Sequence, residues 1–233
     1  MPRMDLEPFK KQAAEMAVAH VKTGMVVGLG TGSTSVHAVR AVAARMKSEG
    51  LKVIGVPTSS RTAELARSLG IPLATLEEQP RLDLAIDGAD EIDPNLDLIK
   101  GAGGALLQER LVEVSAARFI VIADHTKKVA RLGTNFAVPV EVVRFGHKST
   151  ASRLEALGCK PVLRAKDGQP FITDEQHYIY DCKFAPIADA RKLASQLKAI
   201  TGVVEHGLFI GMAAEAFVAG PGNVEVLKPG KAS

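Results

Sequence analysis

The sequence predicts an α/β protein with a parallel, doubly wound sheet, followed by a small α+β unit with an antiparallel sheet. Up to about residue 130, short apolar runs alternate with segments whose apolar residues recur at helical spacing. Beyond Gly133 the order changes to strands interspersed with short helices, which is typical of antiparallel pairing. A chain of 233 residues suits one sizeable domain, or one domain with a smaller one appended.

Glycines mark the ends of several predicted elements in the first part of the chain. Apolar residues at helical spacing between Phe9 and Val21 predict a helix that Thr23-Gly24 ends, and the apolar run from Met25 to Leu29 predicts a buried strand. The elements predicted next are a helix over 36–46 closed by Gly50, a strand over 53–56, a helix over 61–69, a strand over 82–86, a helix over 105–117 and a strand over 119–123. Alternation of this kind predicts parallel strands.

The second part predicts a smaller unit. Its expected elements are strands over 138–143, 161–164, 177–181 and 203–206, and helices over 149–157 and 187–200. The closing segment, 207–229, is rich in glycine and apolar residues and is expected to return to the first domain. The predicted domains are therefore 1–133 with 207–233, and 134–206.

Composition excludes several classes of function. The chain has 29 Lys and Arg against 26 Asp and Glu, without a basic run, so nucleic-acid binding is not expected. Cys159 and Cys182 cannot form a disulfide framework, and buried or unreactive thiols in a reducing compartment are expected. With no secretory signal and no membrane span in view, the prediction is a soluble, cytoplasmic protein.

The segment from Gly28 to Ser35, GLGTGSTS, lies between a predicted strand and a predicted helix. Glycines allow close approach of a ligand to the backbone, and a helix N-terminus favours an anion. The dinucleotide fingerprint needs glycine where Ser33 stands, and the lysine of a Walker loop is absent from the segment. Anion binding therefore stands beside a simpler alternative, a glycine turn in which Ser33 caps the helix.

The segment Asp87-Gly88-Ala89-Asp90-Glu91-Ile92-Asp93 directly follows a predicted strand. Open α/β sheets bind ligands at the C-terminal ends of their strands, where paired carboxylates can act as acid and base. Two alternatives are that Asp90 or Asp93 caps a turn, which is the expected role of Asp93, or that the cluster holds a divalent cation. A metal site is not expected, because no histidine or further paired ligand spacing accompanies the cluster.

The segment from Ile99 to Ala105, IKGAGGA, opens the helix that carries Glu109 and Arg110. A lysine beside flexible backbone, here Lys100, can stabilise a developing oxyanion as a point charge. The alternative for Glu109 and Arg110 is a solvated helix face, the commoner fate of such residues.

Together, the segments GLGTGSTS, DGADEIDPNLDLIKGAGGALLQE and ADHTKKVARLG resemble the signature segments of ribose-5-phosphate isomerase type A. The resemblance runs over essentially the whole chain, and the stretch from DGADE to GGAL is its specific part. It implies a Rossmann-like main domain with a small lid, and a homo-oligomer, either a dimer or a tetramer. The implied activity interconverts ribose 5-phosphate and ribulose 5-phosphate in the pentose phosphate pathway, without cofactor or metal.

The same resemblance implies roles for individual residues. Glu109 would move a proton between C1 and C2, and Lys100 would stabilise the oxygen of the cis-enediolate. Asp87 and Asp90 would serve in ring opening and in contacts to sugar hydroxyls. The implied substrate-binding positions are Thr31, Gly32, Ser33, Thr34, Gly88, Ala89, Gly101, Ala102, Gly103 and Lys127.

Two other functions remain open from the residues alone. A sugar-phosphate sensor would keep the anion loop without a carboxylate base, but would usually carry a DNA-binding helix-turn-helix, for which the N-terminal segment is too short. An acyl-CoA transferase is suggested only by analogy of fold.

Overall fold

A computed structural model describes residues 4–230, which form two compact units. The first contains residues 4–89, Gln108–Lys127 and residues 212–230, and the second contains Asp90–Leu107 and Lys128–Gly211. Residues 212–230 of the closing segment belong to the first unit. Residues 90–107, which the sequence analysis groups with the main domain, pack within the second unit. The limits of independently folding domains stay a prediction.

The strands and helices of the described residues are as follows. In chain order the strands are β1 (Val26–Leu29), β2 (Ile54–Pro57), β3 (Leu84–Gly88), β4 (Glu91–Ile92), β5 (Leu98–Ile99), β6 (Phe119–Asp124), β7 (Val138–Val142), β8 (Lys160–Leu163), β9 (Ala165–Lys166), β10 (Gln169–Pro170), β11 (Tyr178–Lys183), β12 (Val203–His206), β13 (Leu208–Phe209), β14 (Glu215–Ala219) and β15 (Val224–Leu227). The helices are α1 (Glu7–Val18), α2 (Ser35–Glu49), α3 (Ser60–Ser68), α4 (Leu106–Val114), α5 (His147–Glu155) and α6 (Ala190–Lys198).

The first unit is built on a sheet whose described strands run in the order β15-β14-β6-β3-β1-β2. All neighbours pair in parallel except β15, which is antiparallel to β14. Every residue of β6 is buried, as expected for a central strand of a parallel sheet. The sheet shares an apolar core with the buried faces of α1 and α2, for example through Ala17 and Val39. The α/β class with a parallel main sheet is confirmed.

Helix ends in the first unit follow the sequence. Gly50 terminates α2 in a left-handed conformation with φ of 69°, which a glycine adopts without strain. The hydroxyl of Ser59 accepts a hydrogen bond from the N–H of Thr62 and so caps α3. Helix α4 carries the chain from the second unit into the first, between Leu107 and Gln108.

The second unit is built on an antiparallel sheet with the strand order β12-β7-β11-β8 among the described residues. One face packs on α5 and α6 through residues such as Val140, Leu154 and Leu197. Cys159 and Cys182 are buried in this core, as predicted, and the neighbouring Cys159 thiol together with burial raises the pKa of Cys182. The antiparallel α+β character of this region is confirmed.

Several short strands escaped sequence-based prediction. Strands β13, β5 and β4 form one small sheet, and β9 pairs with β10 in a hairpin. Each is two residues long, too short for an alternating pattern to be recognised. Their pairing is decided by the tertiary structure around them. Within residues 4–230, no helix is both long and apolar enough to cross a membrane.

Candidate active site

In the first unit, Asp87 holds the GLGTGSTS segment in place. It lies in β3, whose neighbour β1 leads into that segment, and its side chain is 1% exposed. Its Oδ1 accepts hydrogen bonds from the N–H of Thr31 at 2.9 Å, the hydroxyl of Ser35 at 2.7 Å and the N–H of Gly88 at 2.7 Å. The structure therefore brings together three predicted site residues, Thr31, Asp87 and Gly88, and adds Ser35.

Gly30 is required by this arrangement. A Cβ atom at Gly30 would overlap the Asp87 carboxylate and lie 2.6 Å from the Asp87 Cβ. The glycine therefore permits the close approach of two chain segments.

The hydroxyl of Thr31 lies in a buried cluster of hydroxyl groups. Its Oγ1 is 2.7 Å from Thr58 Oγ1, 2.8 Å from Ser59 Oγ and 2.9 Å from Thr62 Oγ1. These contacts anchor the segment to the start of α3. Sequence reasoning assigned this hydroxyl to substrate and missed the cluster, since its members lie 27 or more residues away in the chain.

The following helix begins one residue later than a Ser33 cap would place it. The N-cap position of α2 is Thr34, which makes no side-chain capping hydrogen bond within residues 4–230. The simpler alternative of a Ser33 cap is therefore wrong. Ser33 is exposed and Gly32 has φ of 132°, so the turn exposes polar groups beside the start of a helix, where anions are stabilised.

Glu109 lies on α4 and is 2% exposed. One turn further on, Val112 packs so closely on Gly28 that a Cβ there would lie 2.6 Å from Val112 Cγ1. The solvated-face alternative is thus wrong for Glu109. A buried carboxylate is costly without compensating interactions, and such groups are concentrated at functional sites. Arg110 is half-buried, with Nη1 3.3 Å from Met212 Sδ.

Lys127 lies in a short 3₁₀ helix, His125–Lys127, directly after β6. Asp124, which is fully buried, caps this turn by accepting hydrogen bonds from the N–H and hydroxyl of Thr126. His125 packs edge-on against Phe9, with 5.5 Å between ring centroids. Asp124 was not predicted as a site residue, although an Asp two residues before a threonine is a recognisable capping signal.

In the second unit, Lys100 follows β5 and is 2% exposed. Its N–H donates to the carbonyl of Gly207 at 2.9 Å, and its Nζ lies 5.5 Å from the centroid of the Phe209 ring. A buried ammonium over an aromatic face is held in place electrostatically. Phe209 was not predicted, because it comes from the closing segment, more than a hundred residues away.

Asp90 and the glycine segment are also joined in the second unit. The Asp90 carboxylate accepts the N–H of Ala102 at 2.9 Å, and its own N–H donates to Ile99 at 2.8 Å. We refer to Gly101–Gly104 as the glycine loop; its first and last residues have φ of 101° and 84°. Ala102 and Gly103 are exposed.

Asp93 caps a turn, as predicted. Its Oδ1 accepts hydrogen bonds from the N–H of Asn95 at 2.8 Å and of Asp97 at 2.9 Å. Burial raises the pKa of Asp93, against the lowering effect of these hydrogen bonds. Among the described residues, no group of three or more His, Cys, Asp or Glu side chains is arranged to hold a metal ion.

The family model of ribose 5-phosphate isomerase A (phosphoriboisomerase A) matches residues 54–223. A protein named ribose-5-phosphate isomerase A from Synechococcus sp. (strain JA-3-3Ab) is 68% identical over 224 residues, 95% of this chain and 97% of its own. Probable ribose-5-phosphate isomerase 3, chloroplastic, from Arabidopsis thaliana is 52% identical over 229 residues, 95% of this chain and 83% of its own.

Solved structures agree with these relatives. Ribose 5-phosphate isomerase A from Methanocaldococcus jannaschii superposes with a TM-score of 0.92 at 39% identity, over 96% of this chain and 100% of its own. A D-ribose-5-phosphate isomerase in complex with phospho-erythronic acid superposes with a TM-score of 0.94 at 37% identity, over 97% of this chain and 100% of its own.

Proposed function

Because the chain belongs to the ribose 5-phosphate isomerase A family and interconverts D-ribose 5-phosphate and D-ribulose 5-phosphate, we propose that Glu109 is the base of this reaction. The observation that carries the proposal is its burial: at 2% exposure, the carboxylate is held by a helix and shielded from bulk water. A positioned carboxylate base contributes about 10²–10⁴-fold to proton transfer.

The proposed reaction starts from the open-chain aldehyde. Glu109 removes the proton from C2, the electron pair forms the C1–C2 double bond, and negative charge develops on the oxygen at C1. Lys100 stabilises this oxyanion. Glu109 then returns the proton to C1, while the proton on the C2 hydroxyl is transferred to the oxygen at C1, leaving a carbonyl at C2. Hydrogen-bond donors and cations aimed at such an oxygen contribute about 10²–10³-fold each.

Asp87 and Asp90 are proposed to act in ring opening and in binding sugar hydroxyls. Their hydrogen bonds support this role: each carboxylate already orders a turn next to exposed polar backbone. The further substrate-binding positions proposed are Thr31, Gly32, Ser33, Thr34, Gly88, Ala89, Gly101, Ala102, Gly103 and Lys127. The start of α2 and the Lys127 ammonium suit a phosphate group, which supplies binding energy remote from the reacting carbons.

The proposal also covers the cellular location, the pathway and the oligomeric state of the enzyme. We place it in the cytoplasm, in the pentose phosphate pathway, as a homodimer or tetramer that binds neither nucleic acid nor membranes. The balanced charge of the chain supports the last two points. Light scattering coupled to size-exclusion chromatography would measure the assembly, and a monomeric mass at working concentrations would overturn that part of the proposal.

Glu109→Gln is the test of the base. The amide keeps the shape of the side chain but cannot accept the C2 proton, so turnover should fall by about 10³-fold or more while substrate binding remains. Glu113→Gln is the matched control, because Glu113 is equally buried (3% exposed) one turn later on α4. Near-parental turnover in Glu109→Gln, measured on chelator-treated protein as ribulose 5-phosphate formed, would remove Glu109 from this role.

A further inference from the structure

We propose that Arg164 is a positioning residue for the isomerisation, acting with Asp181 to orient the peptide groups of the glycine loop. Neither residue carries a signal that sequence reasoning recognised, and neither has a role in the reaction proposed above. The inference deepens the proposed function and rests on it, because it concerns the backbone that is proposed to contact substrate beside Lys100.

The guanidinium of Arg164 joins the loop to the antiparallel sheet. Its Nη1 donates to the carbonyl of Gly101 at 2.8 Å and to that of Ala102 at 3.3 Å. Its Nε donates to Asp181 Oδ2 at 3.0 Å and its Nη2 to Asp181 Oδ1, a two-pronged ion pair. The Arg164 side chain is 15% exposed, and a planar fork of donors loses little freedom in making these contacts.

The backbone of Asp181, the partner of Arg164, is paired on both sides. Asp181 lies in β11, which pairs with β7 on one side and β8 on the other, so that Asp181 stands opposite Pro139 and Val162. The backbone N–H of Arg164 also donates to the carbonyl of Ile179 at 2.8 Å. The ion pair therefore fixes the glycine loop to an inner strand of a sheet.

Peptide geometry makes those two carbonyl contacts matter. In a trans peptide group the C=O and N–H point in opposite directions, so holding one fixes the other. The Gly101 carbonyl shares its plane with the Ala102 N–H, which donates to Asp90. The Ala102 carbonyl shares its plane with the N–H of Gly103. Arg164 thus supports the Asp90 contact and directs the Gly103 N–H, one of the proposed substrate donors, away from the guanidinium.

The loop needs such an anchor because its own backbone is permissive. Gly101 and Gly104 both have positive φ, and glycine samples many conformations at little cost. The other side of the loop is closed by packing, since Gly104 lies against the Phe171 ring. Without the guanidinium, the peptide planes at 101 and 102 would turn more freely. The loop would still form, but its N–H groups would be less well oriented.

The chain contains a matched control for a purely structural arginine. Arg45 also pairs with a carboxylate, Glu49, and donates from Nη1 to two backbone carbonyls, those of Val18 and Val21. It joins α1 to α2 in the first unit, apart from any residue with a proposed chemical role. Loss of Arg45 should therefore lower stability alone.

The experiment compares Arg164→Ala and Arg164→Lys with Arg45→Ala by steady-state kinetics and thermal unfolding. We expect Arg164→Ala to lower kcat/KM by about 10²-fold, the cost of a small misplacement at a site. Added guanidinium ion should restore part of that loss, because it can replace the missing group. Arg164→Lys should recover little, because a single ammonium cannot span both carbonyls and Asp181. Arg45→Ala should keep kcat/KM within about twofold, since only stability depends on it.

Failure of this inference is distinguishable from failure of the proposed function. Parental kcat/KM in folded Arg164→Ala, with Glu109→Gln inactive, would overturn the positioning role and leave the base in place. Active Glu109→Gln would overturn the proposed function itself. If Arg164→Ala does not fold, Asp181→Asn replaces it: the amide removes the charge of the pair while keeping its shape. Reduced kcat/KM without a matching loss of thermal stability supports the inference, and unchanged kcat/KM overturns it.

Discussion

The two units hold their candidate loops by different means. In the first unit, the GLGTGSTS segment is held at the ends of parallel strands by short groups, the Asp87 carboxylate and the hydroxyls around Thr31. In the second unit, the glycine loop is held by a long cation, Arg164, that reaches out from the sheet. A parallel sheet covered on both faces offers polar contacts at its edges, whereas an antiparallel sheet can place charges on one face.

This difference predicts unequal tolerance to change. Short, buried side chains cannot move aside, so an added atom breaks the hydrogen bonds that they make. A long side chain and a half-buried ring can adjust by rotation. The following predictions run from the change that should disrupt a unit most to the one that should disrupt it least.

Gly30→Ala should break the anchor of the first unit. The new methyl overlaps the Asp87 carboxylate, which is 1% exposed and has nowhere to move. We expect activity to fall by at least about 10²-fold and the free energy of unfolding by about 3 kcal/mol, from overpacking and loss of buried hydrogen bonds.

The control for that prediction is Gly55→Ala in the same sheet. There the new Cβ meets Leu29 Cδ1 at 2.5 Å, the end of a flexible side chain. Activity should stay within about threefold of the parent, because the leucine can change rotamer without disturbing Asp87. Chemical denaturation and steady-state kinetics measure both variants. Equal activity losses in the two variants would show that the first unit is not especially sensitive at Asp87.

Gly104→Ala should affect the second unit less. Its Cβ would lie 2.6 Å from Phe171 Cε1, and its φ of 84° is unfavourable for alanine by roughly 1–2 kcal/mol. Because the half-buried ring can shift, we expect a loss of kcat/KM of about tenfold. The double variant Gly104→Ala, Phe171→Leu should regain part of it. If kcat/KM of the double variant does not recover, the whole loss comes from backbone strain at residue 104.

Glu141→Gln should alter only the pH dependence of stability. Glu141 is fully buried on β7, accepts hydrogen bonds from Thr173 and His177, and has a pKa raised by burial. A raised pKa means that the folded state binds the proton more tightly, so this group's stabilisation is complete below its ordinary pKa and is lost as pH rises through the raised value. A glutamine at this position does not titrate, so the variant does not lose this stability as pH rises.

Denaturant-induced unfolding of Glu141→Gln and of the parent, measured from about pH 4 to about pH 8, tests this prediction. The free energy of unfolding of Glu141→Gln should increase relative to that of the parent, meaning greater relative stability, as pH rises from about 4.5 upward. A constant difference across the range would show that the Glu141 carboxyl has the same proton affinity in both states. Turnover should not change, because Glu141 has no proposed role in the chemistry.

Much of the candidate site was recognisable in the sequence because its residues lie in contiguous segments that follow strands. Asp87, Asp90, Lys100 and Glu109 all lie in two neighbouring segments of the chain, and the turn cap predicted at Asp93 in the same stretch is confirmed. Local chain order determines such features, since turns and helix starts depend on residues a few positions apart.

Other features could not be predicted from local patterns. Whether the Thr31 hydroxyl faces a ligand or the protein depends on Thr58, Ser59 and Thr62. A lone arginine at the end of a predicted strand carries no sign that it will meet a glycine loop 63 residues earlier. Side-chain direction of this kind is decided by distant contacts.

The sequence by itself determined the α/β class, the alternation of strands and helices, and the segments that carry the candidate site residues, because hydrophobic periodicity and glycine turns are local properties. Only the tertiary structure decided that residues 90–107 pack within the second unit, that Asp87 anchors one loop, and that Arg164 holds another. These outcomes depend on which strands become neighbours, and strand pairing joins residues far apart in the chain.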